Sequence, residues 1–199
     1  LAHAIDRPRL AGAALGSAAV AARGPLPAAL LRDSADLLPA FDPVHAAALL
    51  DSAGWRAARP GAVRWNGDRR LRFPLLIPSA PGARRVAVLV QSQLRRVGVA
   101  MDIEPADQAT IAARLVERRF DAALLALDWD PDPLSARQLW GSDAIAGGAN
   151  FSGYRNPAFD SAIARAAAAA DPVAARAFAA RAWRELAADA PAIWLYDLQ

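Results

Sequence analysis

The chain has 199 residues, 55% of them hydrophobic, which is enough to bury a sizeable core without staples. Its 23 basic residues are all arginine, set against 20 acidic ones, and the net charge is only +3; short groups such as Arg69, Arg70 and Arg72, Arg84 and Arg85, and Arg95 and Arg96 read as solvated faces rather than a nucleic-acid patch. The absence of cysteine excludes disulfides, thiolate metal sites and cysteine nucleophiles.

Leu1 opens inside a helical pattern, which predicts that the chain is an excised piece of a longer protein. Asp6-Arg7-Pro8 marks a break and a second helix start. Residues 10–22, mostly Ala and Gly, are too short and too weakly apolar to span a membrane. Residues 17–40 read as an extended meander with fixed points at Gly24, Pro25, Pro27 and Pro39. Asp42-Pro43 combines an N-cap with proline at the first helical position and opens a helix that ends at Gly54. The same Asx-Pro start recurs at Asp132-Pro133, Asn156-Pro157 and Asp171-Pro172. His3 and His45 lie far apart in sequence, in no metal-binding spacing, and read as helix-surface residues.

Between residues 55 and 78 the period changes. Asn66-Gly67 signals a hairpin turn, and residues 71–77 form a strand that Pro74 places near an edge or a bulge. In residues 84–97, Val86, Val90, Leu94 and Val97 make one apolar stripe, closed by Gly98. A short strand over 99–104 completes a βαβ unit, for which a right-handed crossover is expected. Asp107 then caps a second crossover helix with Ile111, Leu115 and Val116 facing inward. The uninterrupted apolar run 122–127 fits a strand buried on both faces. Beyond it, a helix is expected over 134–140, a glycine-rich loop over 141–148 and alanine-rich helices over 158–169 and 173–188. In the last of these Ala175, Phe178, Ala182 and Leu186 form the buried stripe. A final strand spans 192–196.

Asp128, Trp129, Asp130 and Asp132 follow directly on the apolar run 122–127, so carboxylates and an aromatic face arrive where a central strand ends, the usual ligand position in open α/β sheets. Asp128, Asp130 and Asp132 imitate the opening of a calcium loop, but Pro133 and Leu139 stand where glycine and a bidentate glutamate are required. There is no GxSxG elbow, no GxGxxG and no Walker loop after a strand. With three glutamates in the chain and no second strand-end acid, glycosidase chemistry has little to work with.

The order of these features resembles the C-terminal lobe of family 5 extracellular solute-binding proteins, the dipeptide, oligopeptide and nickel receptors of ATP-binding-cassette importers. The resemblance is carried by Ala4-Ile5-Asp6-Arg7, by Phe41-Asp42-Pro43 with Ala48-Leu49-Leu50 and Ala53-Gly54-Trp55, and by Gln93-Leu94 with Val97-Gly98-Val99. It continues through Phe120-Asp121, residues 128–133, residues 150–154, Asn156-Pro157 and Ala190-Pro191.

That resemblance implies an α/β fold of the periplasmic-binding-protein type II, with residues 1–199 as a single lobe whose mixed sheet is built from βαβ units with flanking helices. The implied function is extracellular or periplasmic solute capture by closure of two lobes, with no enzymatic activity and no cofactor. The partners would be a peptide or other small amine-bearing ligand, the importer's membrane permease and an N-terminal lobe absent from this chain. That absent part would also carry the signal or lipoprotein anchor. The receptor is expected to be a monomer that binds no nucleic acid. In peptide-binding members an aspartate at the position of Asp128 receives the ligand's α-ammonium; the competing reading is that Asp128 caps the turn at Asp130-Pro131. Trp129, Asn150 and Phe151 complete the expected ligand-binding set with Gln108 and Leu125. Peptide binders often have tryptophans at those last two places, so the pockets here are expected to be smaller or differently polar, and nickel-chelate or sugar binding stays open, because the fold does not set the ligand. A small α/β enzyme or a nucleic-acid module is the alternative of another class.

Overall fold

The computed structural model describes residues 1–26, 36–127 and 132–199. They gather into two compact units, one made of Leu1–Ala21, Pro39–Ala126 and Leu195–Gln199, the other of Ala22–Leu38 and Leu127–Trp194.

Helix starts in both units follow the local chemistry of the sequence. Helices α1 (Arg7–Leu15), α2 (Pro43–Ser52), α5 (Pro133–Trp140), α7 (Pro157–Ala168) and α8 (Pro172–Asp189) each have a preceding Asp or Asn whose side chain accepts from a first-turn N–H, and each has proline in its first two positions. The cap satisfies one of the donors that a helix leaves unpaired at its start, and proline spends no hydrogen bond there.

The first unit is built on a three-stranded parallel sheet in the order β5 (Ala100–Ala106), β4 (Arg72–Pro78), β6 (Ala122–Ala123). Helix α3 (Pro81–Arg96) connects β4 to β5, and α4 (Gln108–Val116) connects β5 to β6. Leu76 and Ile77 of β4, Val86, Ala87 and Leu94 of α3, and Val99 are buried, and Ile5 and Leu10 of the N-terminal segment are fully buried in the same unit. Strand β1 (Ala19–Ala21) pairs antiparallel with β7 (Tyr196–Leu198).

Pro74 stands in the central strand, where a proline should remove a ladder hydrogen bond. The register explains its acceptance. The Leu71 carbonyl accepts from Ala100 on the β5 side and the Leu76 carbonyl accepts from Leu124 on the β6 side, so even-numbered residues of β4 direct their backbone polar groups toward β6. That pairing begins only at Leu75. Pro74 therefore directs its missing donor beyond the start of the neighbouring ladder, and β4 is an edge at that one point.

Three expectations are corrected in this unit. The apolar run 122–127 is not a doubly buried central strand: β6 has two residues at the sheet edge, and Leu125 and Leu127 are 39% and 46% exposed. Among the described residues β6 has a strand neighbour on one side only, and the later apolar side chains are exposed. Val116 is 73% exposed instead of facing inward, while Ile111 and Leu115 are buried, because only positions four apart share the covered face of so short a helix. The hairpin of β2 (Trp65–Asn66) and β3 (Arg69–Arg70) turns through Gly67 and Asp68, one residue later than Asn66-Gly67 suggests. Gly67, at φ +61, supplies the positive φ required at the first loop position.

The second unit is helical, with α5, α7, α8 and the short α6 (Ala144–Gly147). Its core is aromatic. Phe159 is fully buried between Tyr154 and Trp183, with edge-to-face ring separations of 5.8 and 6.5 Å, a favoured arrangement of ring quadrupoles. Two further corrections fall here. The buried stripe of α8 is Ala182, Trp183, Leu186 and Ala187, whereas Phe178 is half-buried beneath the Arg165 guanidinium at 5.8 Å. The expected strand over 192–196 begins only at Tyr196, since Ala192 and Trp194 pack on the aromatic core, with Trp194 tilted against Trp140 at 5.9 Å.

Candidate functional site

In the first unit the parallel register sets Pro78 opposite Ala106 and Leu76 opposite Ala123, so Leu125 lies level with the ends of β4 and β5, and Gln108 opens α4 two residues past the end of β5. Both stand at the carboxyl edge of the sheet, where open α/β folds bind ligands. Leu125 and Gln108 are exposed, and neither is taken up by the core.

Two helices start at this edge. Asp107 caps α4, its Oδ1 accepting from the Thr110 N–H at 2.9 Å and its Oδ2 from the Thr110 hydroxyl at 2.8 Å. These bonds, the backbone one first, hold the Asp107 carboxyl below the usual carboxylate range. It is therefore charged and occupied. Helix α3 has Ala80 at its N-cap and no side-chain cap, so among the described residues no side chain takes up the Gly82 and Ala83 N–H groups at the same edge. The sequence reading passed over them. The signal is an alanine at the cap position, where the other long helices have Asp or Asn.

In the second unit Asn150 is engaged within its own loop. It is fully buried, and its Nδ2 donates to the carbonyls of Gly141 and Tyr154 at 2.9 Å and of Trp140 at 3.2 Å. Its Oδ1 accepts from the Ser152 hydroxyl at 2.9 Å and the Tyr154 N–H at 3.2 Å. The side chain closes the loop after α5 around itself. The neighbouring Phe151 is half-buried. Asp128 and Trp129 lie outside the described residues. Asp132 caps α5 through the Leu134 N–H at 2.9 Å, the role its position predicts.

A shallow hollow of about 290 Å³ lies toward the opposite end of the sheet, lined by Pro74, Glu104, Arg114, Phe120 and Asp121 among others. Arg114 spends its charge on Glu104 at 2.6 Å, and none of the predicted site residues lines the hollow. Among the described residues no three His, Asp or Glu side chains are grouped to hold a metal ion, and no helix is long and apolar enough to cross a membrane.

The parallel βαβ sheet places the chain in the α/β fold of the periplasmic-binding-protein type II class, and solved structures of that class superpose on nearly the whole chain. The dipeptide-binding protein of Pseudoalteromonas sp. SM9913 in complex with Met-Leu matches with a TM-score of 0.81 and 26% identity, over 99% of this chain and 38% of that one. NikA of Brucella suis in complex with Fe(III)-EDTA matches with a TM-score of 0.80 and 25% identity, over 99% of this chain and 40% of that one. Protein XP55 of Streptomyces lividans is 30% identical over 172 residues, 85% of this chain and 31% of the relative. The profile of bacterial extracellular solute-binding proteins, family 5, middle region, matches residues 1–148. The chain belongs to this family, and it spans less than half the length of the relatives it matches.

Proposed function

We propose that these 199 residues form the C-terminal lobe of a two-lobed receptor that captures a di- or oligopeptide, or another small amine-bearing solute, for an ATP-binding-cassette importer. The reading is of a binding protein without enzymatic turnover, working outside the cytoplasmic membrane. The observation that carries it is the similarity along almost the entire chain to a dipeptide-binding protein, together with the exposed, unspent residues Leu125 and Gln108 at the carboxyl edge of the parallel sheet. In this reading Asp128 pairs with the ligand's ammonium group, and Trp129 and Phe151 supply apolar walls. A charge-assisted bond of this kind gains strength once closure removes water. The similarity to NikA at 25% identity favours a metal chelate as the second reading.

Calorimetry on the two-lobed receptor containing this chain tests both. Binding of a dipeptide, weakened about tenfold or more by Asp128→Asn as a charged hydrogen bond becomes a neutral one, is the expected result. Binding of a nickel chelate with no response to dipeptides supports the second reading, and an unchanged dipeptide affinity in Asp128→Asn removes that residue from the site. The isolated chain is expected to bind neither tightly, because one wall leaves the cost of immobilising the ligand uncompensated.

A further inference from the structure

The β2–β3 hairpin has an outer face that stays exposed among the described residues. Trp65 is directly paired with Arg70 across the hairpin and with Arg56 on its other side through an antiparallel bridge, closed by the Arg56 N–H to the Trp65 carbonyl at 2.7 Å and the reverse bond at 2.8 Å. Directly opposed residues direct their side chains to the same face of a sheet, so the register makes a row of arginine, tryptophan and arginine. The next residue, Asn66, faces the opposite way, toward the end of α2, its Nδ2 3.1 Å from where a Cβ on Gly54 would stand. The Trp65 row is therefore the outward one. Trp65 is 44% exposed, and the Arg70 guanidinium lies over its ring at 5.3 Å.

The charges of this face are only partly neutralised. Arg59, in the turn before Trp65, and Arg70 have no ion-pair partner among the described residues. Arg56 stands 3.6 Å from an Asp51 oxygen that Arg64 already holds at 2.7 Å. An indole flanked by guanidinium groups on a flat ladder matches the chemistry of a lipid headgroup layer: aromatic rings with one polar edge settle at that depth, and arginines pair with phosphate. The Arg70 guanidinium occupies the ring face on which a nucleobase would stack, which disfavours single-stranded nucleic acid.

We propose that the Arg56–Trp65–Arg70 face docks this chain on a phospholipid surface of net negative charge, with the two guanidinium groups on lipid phosphates and the Trp65 indole among the headgroups. The proposal is independent of the ligand that the receptor captures. Co-sedimentation of the 199-residue chain with phosphatidylglycerol vesicles and with phosphatidylcholine vesicles tests it, alongside Arg56→Gln/Arg70→Gln, Trp65→Ala, and Arg176→Gln/Arg184→Gln, which removes equal charge from the exposed face of α8. Circular dichroism and thermal midpoints show whether each variant is folded. The expected result is binding to the anionic vesicles alone, reduced about fivefold for each arginine removed from the hairpin, reduced further in Trp65→Ala, and changed by less than about twofold in the α8 variant. Absence of binding to phosphatidylglycerol, or equal loss in the α8 variant, overturns the proposal. Tighter binding to a single-stranded oligonucleotide than to vesicles overturns it in favour of nucleic acid.

Discussion

Arg64 reaches Asp51 with its Nη1 at 2.7 Å while its own side chain is 7% exposed and that of Asp51 is 43% exposed. The ion pair is half of what this guanidinium does. Its Nη1 also donates to the Trp55 carbonyl at 2.7 Å and its Nε to the Val97 carbonyl at 2.7 Å, tying the end of α2 and the hairpin to the end of α3. Arg64→Ala removes the buried charge and orphans two carbonyls, an expected loss of about 3 kcal/mol. In Asp51→Ala the arginine keeps its carbonyl partners and water reaches the vacated position, so the loss should be about 1 kcal/mol. Urea denaturation of the two variants separates these roles, and equal losses would assign the hub to the ion pair.

Gly98 is required beside that hub for two separable reasons. It has φ +81, and a Cβ would stand 2.6 Å from the Ala62 carbonyl oxygen and 2.9 Å from Arg64 Cγ. Gly61 has a similar φ of +74 but open space around it. Gly61→Ala should cost about 1–2 kcal/mol, the left-handed penalty alone, and Gly98→Ala clearly more. Matching losses in denaturant midpoints would mean that the backbone conformation, not the contact, sets the requirement.

The Asn150 amide aims its donors at three carbonyls. Asn150→Asp places a carboxylate there and should destabilise the chain more than Asn150→Ala, with losses of about 3 kcal/mol or greater. If Asn150→Ala leaves stability unchanged in thermal melts and weakens ligand binding in the intact receptor, the residue is a ligand contact after all.

On α8 the two aromatic residues separate what is merely apolar from what is buried. Trp183, 4% exposed within the aromatic core, should cost about 3–5 kcal/mol when changed to alanine. Phe178, half-buried under Arg165, should cost about 1–2 kcal/mol. Denaturant midpoints that reverse this order would return Phe178 to the core.

The Tyr154 hydroxyl donates to Asp189 Oδ2 at 2.8 Å. Burial first, and this bond second, raise its pKa above the ordinary tyrosine value. A raised folded-state pKa means that the folded chain holds the proton more tightly than the unfolded one. Its contribution to stability is complete below about pH 10, the unfolded value, and is lost as pH rises above it toward the folded value. Tyr154→Phe should lower stability near neutrality by about 1 kcal/mol and flatten the alkaline decline in part, since burial also raises the Tyr196 pKa. An unaltered decline would place the alkaline transition elsewhere.

What could be read from the sequence is what lies within a few residues along the chain. An Asx-Pro start encloses donor, acceptor and fixed φ within one helical turn, which is why Asp42, Asp132, Asn156 and Asp171 all cap the helices expected of them. The βαβ order follows from the alternation of periods, and the family from the sequence of short motifs. Tertiary structure decided whatever depends on which face another element covers. The run 122–127 is apolar enough for a central strand, yet among the described residues it has a strand neighbour on one side only and ends its ladder early. Phe178 is as apolar as Trp183, but it stands where α7 offers it an arginine rather than the core. Asn150 looks like an exposed loop residue, yet it is fully buried and three carbonyls, four to ten residues away along the chain, converge on it. Convergence of this kind is a property of packing, and no local pattern encodes it.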